Sequence, residues 1–324
     1  MTDGIQRWTV TEPYLDIRGG LLEGPFYTPA RNELRFVDID KAKVYFVDLA
    51  KGPSSLRVVS TGVAVGVTAD VVDADAKDQV IVAAKHGFAT LDSQTGELSY
   101  VRRIWDNPDD EHKYGQQLHS GHVPLTSPRM RFNDGAVDSR GRFWAGSCND
   151  DKVTQVKDEG TMFRLDPDRT VHRMVERMMI PNGTGWNSKD DTMYLTDSPR
   201  GDIYAYDFNA ETGDISNRRV HFHLDGSIGE PDGFAMDVED CIWIAVWRGS
   251  KVIRINPEGK IIGEISLPTR HVTCPEFVGT ELFITTAAEK EPEKYPESAR
   301  YGGNVYRVDV GVRGKPRNSF HFKK

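Results

Sequence analysis

Four short stretches each set an oxygen-bearing side chain beside a glycine at the head of an apolar or aromatic run. They are Glu23 before Gly24, Asn133-Asp134 before Gly135, Asn182 before Gly183 and Asp232 before Gly233. Carboxylate and amide oxygens are hard donors. With no thiolate or imidazole beside them they suit Ca²⁺, Mg²⁺ or Mn²⁺ better than Zn²⁺, with water filling the remaining positions. Without a cation, Glu23 and Asp232 would repel each other in a partly dehydrated space, and one of them would have to hold a proton. Taken singly, Asp-Gly and Asn-Gly are ordinary turn dipeptides that cap strand ends. Their recurrence at equivalent places along the chain favours one divalent cation held in common.

The elements that must position them repeat. One set of segments reads as a strand ending in Asp or Asn before a turn: KVYFVDL (43–49), GFATLDSQTG (87–96), TMFRLDPD (161–168), DIYAYDFNAETG (202–213), KVIRINPEG (251–259) and NVYRVDV (304–310). A second set precedes each: LRFVDID (34–40), VIVAAKHG (80–87), RFWAGSCND (142–150), TMYLTDSPRG (192–201), IWIAVWRG (242–249) and LFITTAAEK (282–290). Each pair reads as a hairpin of alternating β-formers. The repeat is roughly 40–50 residues, the length of a propeller blade, with one longer step between Asp92 and Asp166. A helical array of similar period is excluded by the two-residue alternation and the Val, Ile, Tyr, Phe and Trp content. The expectation is an all-β, six-bladed propeller with a central divalent-metal site, one domain over 1–324.

Each blade also needs an entering strand whose first residues face the axis. These starts are Glu23, Val67-Thr68, Arg131 to Asp134, Asn182, Asp232 and Cys274. The adjoining glycines let backbones crowd at the narrow end of each blade. Trp8-Thr9-Val10 is a candidate to complete the last blade. The long step holds a polar insertion, 105–128, that directly precedes Arg131 and reads either as a lid over the site or as a solvated excursion.

A net charge of −8 with no basic patch argues against a nucleic-acid partner. Three cysteines, Cys148, Cys241 and Cys274, are too few and too scattered for a disulfide framework. The N-terminal stretch has no apolar core, and no apolar run approaches membrane-spanning length, so a cytoplasmic protein without membrane contact is expected.

The segments LLEGPFY (21–27), RFNDGAVDSRGRFWAGS (131–147), PNGTGWNSKDDTMYLTDS (181–198) and PDGFAMDVEDCIWIAVW (231–247) resemble the SMP-30/gluconolactonase/regucalcin family. The resemblance runs in order over most of the chain. It implies a six-bladed propeller that hydrolyses a small-molecule sugar lactone with one divalent cation. Carried over by position, it implies metal ligation by Glu23, Asn182 and Asp232, with Asp232 as the base. It implies substrate contacts from Arg131 and Asn133. Asp151 matches the place of a family glutamate that contacts sugar hydroxyls, one methylene shorter. The residue chemistry agrees: Arg131 offers a planar five-donor fork, and Asn133 both donates and accepts.

Other residues carry less. His112, His119 and His122 share the 105–128 insertion and lack the further ligands a zinc site needs. Trp186, Trp243 and Trp247 read as blade packing, with Trp186 near enough to Asn182 to line the mouth. Cys274 has no histidine beside it in sequence to make it a nucleophile. Two rival functions remain open at this point. One is an ester or phosphotriester hydrolase on the same site, and the other is a non-enzymatic interaction platform with a structural cation.

Overall fold

The computed structural model describes residues 4–72, 78–104 and 129–323. Six antiparallel sheets follow one another along the chain and form the blades of a propeller. The first four blades have four strands each, in simple meander order. They begin with the inner strands Leu22–Thr28, Val65–Asp70, Met130–Val137 and Pro181–Trp186. The fifth begins at Glu230–Met236, and the sixth has three strands, Val272–Val278, Glu281–Thr286 and Val305–Asp309. Both sets of segments picked out above as hairpin strands are the second and third strands of these sheets, the third being the outer edge of the three-stranded sixth blade.

The sequence dictates this layering. Inner strands are buried almost throughout, as in Pro181–Trp186, because one face meets each neighbouring blade. Outer strands such as Asp214–His223 are largely exposed and correspondingly polar. Side chains alternate across a strand, so each sheet feeds two different interfaces. Six apolar clusters result, one between every adjacent pair of blades. Phe88, Phe132, Phe143 and Phe163 fill the gap between the second and third blades, and Trp243, Leu282 and Tyr306 fill that between the fifth and sixth.

Trp8-Thr9-Val10 does not complete the last blade. Gln6–Thr9 pairs in parallel with Ile261–Ser266 on the outer edge of the fifth blade, with Trp8 packed on Trp243 at 5.4 Å. The reason is local: Gly263 leaves room for the Trp8 ring, which any side chain there would crowd. The ring closes through shorter contacts. Leu15 bridges Val305 in the sixth blade, and the Thr273 hydroxyl donates to the Leu22 carbonyl in the first at 2.6 Å.

The C-terminal segment, residues 310–323, runs across the face opposite the strand starts. Its backbone bonds to Gly279 of the sixth blade, Met236 of the fifth, Asp70 of the second and Gly141 of the third. Phe320 is fully buried in the cluster between the second and third blades. No helix among the described residues is long and apolar enough to cross a membrane.

Candidate axial site

All six inner strands carry a register shift at the same level. The breaks fall between Glu23 and Phe26, Val65 and Val67, Phe132 and Gly135, Pro181 and Thr184, Pro231 and Phe234, and Val272 and Cys274. A bulge re-aims the side chains at it and tightens the local twist. Here six bulges ring the axis, and the polar residues of the sequence motifs sit in them or beside them. Gly233 shows why glycine follows the acid. A Cβ there would lie 2.5 Å from Cys274 Sγ, so a side chain would push the fifth and sixth inner strands apart.

Glu23, Asn182 and Asp232 are all buried; Asn182 and Asp232 touch, and Glu23 is near enough to act on the Asp232 carboxyl. Asn182 Nδ2 donates to Ser198 Oγ at 3.1 Å and makes a close hydrogen bond to Asp232 Oδ1. Glu23 Oε2 accepts from the Gly24 amide at 2.9 Å. Burial, then the neighbouring Asp134, pushes the Glu23 carboxyl up to about 8, against the Gly24 amide and Arg131. Burial and then Glu23 and Asp134 hold Asp232 well above the usual carboxylate range, although the Asn182 amide opposes them.

Asn133 and Asp134 are adjacent but serve opposite ends of the axis. Asn133 Oδ1 accepts from Arg131 Nη1 at 2.8 Å, and its Nδ2 donates to the Pro181 carbonyl at 3.1 Å, on the mouth side. Asp134 lines a small void with Thr68, Cys274 and Arg317 toward the opposite face. Its carboxyl is pushed up to about 6, chiefly by burial, with the Gly135 amide and Arg317 working the other way.

Arg131 is about nine-tenths buried, and among the described residues it makes no ion pair within 4 Å. Burial opposes its charge, but Cys148 and then the carboxylates of Asp151, Asp150 and Asp40 around it hold its pKa above the ordinary arginine value. Asp150 and Asp151 belong to a loop, residues 150–159, that reaches across the mouth. Asp150 pairs with Lys85 of the second blade at 2.5 Å, Lys152 with Asp40 of the first at 3.0 Å, and Asp151 with Lys290 of the sixth at 3.4 Å. Asp150 is buried, whereas Asp151, the residue singled out by position, is exposed. Position in the family pattern pointed to Asp151, whereas the buried tie to Lys85 belongs to its neighbour Asp150. The expected lid at 105–128, with His112, His119 and His122, lies outside the described residues.

Two further expectations are corrected or refined. Trp186 does not line the mouth. Four residues beyond Asn182 along an extended strand is roughly 13 Å, and Trp186 packs on Trp144 and Phe208 in the interface between blades three and four. Trp247, at the mouth end of its strand, stacks on His271 at 4.1 Å. Cys274 does face the axis, but burial, with Asp134 and Glu23, holds its thiol protonated.

The donor set on the axis fits a hard cation. Asn182 Oδ1 is buried with no hydrogen-bond partner, an arrangement that costs free energy unless something electropositive meets it. Glu23 and Asp232 beside it are strongly disfavoured as bare anions, so a divalent ion would relieve both penalties. The three axial carboxylates do not converge as a tight trio. Among the described residues one acidic-thiol group does, Asp237, Glu239 and Cys241, with ligand atoms within 4.8 Å of one another. That group could hold a metal only by displacing Arg254. Asp237 Oδ2 already accepts from Arg254 Nη2 at 2.7 Å and Trp243 Nε1 at 2.9 Å, and Oδ1 from two backbone amides. Asp138 repeats the arrangement with Arg142 and Trp144, which marks it as a brace for the turn between the first two strands of a blade.

Comparison with known proteins matches residues 21–288 to the model of the SMP-30/Gluconolactonase/LRE-like region. The chain is 28% identical over 304 residues to the putative sugar lactone lactonase YvrE of Bacillus subtilis, covering 92% of this chain and 94% of that one. It is 30% identical over 305 residues to regucalcin of Xenopus laevis, with the same coverage, 92% and 94%. Among solved structures, the calcium-binding protein regucalcin from Agrobacterium tumefaciens superposes with a TM-score of 0.82 at 21% identity, covering 98% of this chain and 99% of that one.

Proposed function

The chain belongs to the SMP-30/Gluconolactonase/LRE-like family, and from that premise we propose that it is a hydrolase that opens a sugar lactone to its aldonic acid with the help of one divalent cation. The observation that carries this reading is the buried, unpartnered Asn182 Oδ1 beside Asp232 and Glu23, beneath the Arg131–Asn133 pair. Glu23, Asn182 and Asp232 would hold the ion. Bound there, it would supply Lewis acidity to the lactone carbonyl and lower the pKa of a water.

The chain's own residues do the rest. Arg131 presents its remaining guanidinium N–H groups to ring or hydroxyl oxygens, while Asn133 holds the guanidinium from behind. Asp232 takes a proton from the attacking water as its oxygen adds to the carbonyl carbon. When the ring C–O bond breaks, the same carboxyl returns a proton to the departing alkoxide. The 150–159 loop, tied to three blades, limits water at the mouth. Sugar lactones suit this site because Arg131 and Asn133 offer several donors and one acceptor within a narrow polar space. The lactonase named among the relatives and the calcium-binding description of the A. tumefaciens protein support the substrate class and the ion respectively.

The test is a panel of five- and six-membered aldonolactones followed by acid release, with a strong chelator and then Ca²⁺, Mg²⁺ or Mn²⁺ restored. Turnover lost to chelator and recovered with metal is expected. Undiminished turnover in chelator would overturn the metal-dependent mechanism, and no turnover on any lactone would overturn the substrate class.

A further inference from the structure

The channel floor is made by the C-terminal segment, and one of its side chains faces the acidic axis. Gly314 lies against Phe277 so closely that a Cβ would fall 2.0 Å from the Phe277 Cβ, which pins the segment to the sixth blade. Asn318 Nδ2 then donates to the Val137 carbonyl at 3.1 Å, and Phe320 anchors the far end. Between these anchors Arg317 points inward. Its Nε donates to Glu276 Oε2 at 2.7 Å, and its Nη2 donates to the Phe234 carbonyl at 3.4 Å. Glu276 is itself buried. Arg317 shares with Asp134 and Cys274 the lining of a void of about 20 Å³, room for a single water.

Four carboxyl groups therefore surround this axis: Glu23 and Asp232 toward the mouth, Asp134 in the middle and Glu276 at the floor. Arg131 and Arg317 supply one positive charge each. With all four ionised, a single divalent cation would bring this set to neutrality. In a low-dielectric channel that balance matters, because an uncompensated buried charge costs several kcal/mol.

We infer that Arg317 is a positioning residue supplied by the C-terminal segment, a fixed internal cation that holds Glu276 at the floor, faces Asp134 across the small void and sets how strongly the axial site binds its divalent ion. The inference rests on the proposed cation site at Glu23, Asn182 and Asp232. Arg317 touches neither substrate nor ion. Its positive charge repels the ion and at the same time offsets part of the charge of the two lower carboxylates. Removing it leaves the lower acids free to add to the attraction.

Calorimetric titration with CaCl₂ and MnCl₂ tests this without any activity assay. In Arg317→Met the cation should bind at least about threefold more tightly, the fully water-screened lower limit for removing one unit charge about 10 Å from a divalent ion. Arg317→Lys keeps the charge and should stay within about twofold of the natural protein. Lys315→Met is the control. Lys315 lies on the same segment but pairs with Asp240 at 3.2 Å and the Trp186 carbonyl at 2.7 Å, away from the axis, and should also leave affinity unchanged. A merely structural role for Arg317 would instead weaken or preserve binding while lowering Tm.

Unchanged or weaker binding in a folded Arg317→Met protein, or equal tightening in Lys315→Met, overturns the inference while leaving the cation site intact. If Arg317→Met does not fold, Glu276→Gln carries the test with the opposite sign. It removes a negative charge while leaving the arginine, and should weaken binding by a similar factor; no weakening overturns the inference. A natural protein that binds neither ion overturns this inference together with the cation site.

Discussion

The amide of Asn182 donates to the carboxylate of Asp232 across the boundary between the fourth and fifth blades, two residues fifty positions apart in the chain. That bond turns the Asn182 carbonyl oxygen into a buried site with no partner. It also leaves the Asp232 carboxylate only partly compensated against Glu23 and Asp134.

Asp232→Ala should reduce kcat by at least about a thousandfold, near the upper part of the range for losing a general base. Asn182→Ala should lower divalent-cation affinity more than tenfold, because it removes both a ligand oxygen and the donor that orients Asp232. Steady-state kinetics and calorimetry on folded variants check both. Near-normal turnover in Asp232→Ala would remove that residue from the base role.

Arg131→Ala should act mainly on KM. The guanidinium is held by Asn133 at 2.8 Å and by the Phe132 carbonyl at 3.1 Å, which leaves its other N–H groups for substrate. A loss of one or two charge-assisted hydrogen bonds raises KM by roughly ten- to a hundredfold. A fall in kcat with unchanged KM would place Arg131 in the transition state instead.

The metal-free protein should lose stability as pH rises. Folding lifts Glu23 to about 8 and Asp134 to about 6, both above their unfolded values. Groups shifted this way bind more protons when folded, so their contribution is complete below about pH 4 and disappears as pH climbs through 6 and then 8. Melting in chelator from pH 5 to 8.5 should therefore show Tm falling by several degrees beyond a parallel run with Ca²⁺, which favours the charged carboxylates. Identical slopes in the two runs would argue that no ion sits among these acids.

The two outer ties of the mouth loop should differ sharply in worth. Asp150 is buried and Lys85 only slightly exposed, so Lys85→Met leaves a buried carboxylate without its ion-pair partner and should cost about 3 kcal/mol. Lys290 and Asp151 are exposed, so Lys290→Met should cost less than about 1 kcal/mol. Denaturant titration measures both. Equal costs would mean that Asp150 finds another partner once Lys85 is gone.

The strands, their pairing into hairpins and the number of blades were legible in the sequence, because a two-residue alternation is a local property and each blade repeats it. The candidate site was legible in part. Glu23, Asn182 and Asp232 stood out because each precedes or sits beside a glycine at the same place in its repeat, and the glycine is needed wherever inner strands crowd together.

What the sequence left undecided depends on contacts between distant segments. Adjacent Asn133 and Asp134 look equivalent in sequence, yet a bulge sends one to the mouth and the other toward the floor. Position in the family pattern singled out Asp151, but only the folded loop shows that Asp150 is the one buried against Lys85. Trp8 carries no mark of the blade it joins, and Arg317 none of the axis it faces. Alternation fixes which residues form strands, since it needs only neighbours in the chain. Which charges meet is decided by chain closure and by loops crossing a face, and only the folded ring specifies those.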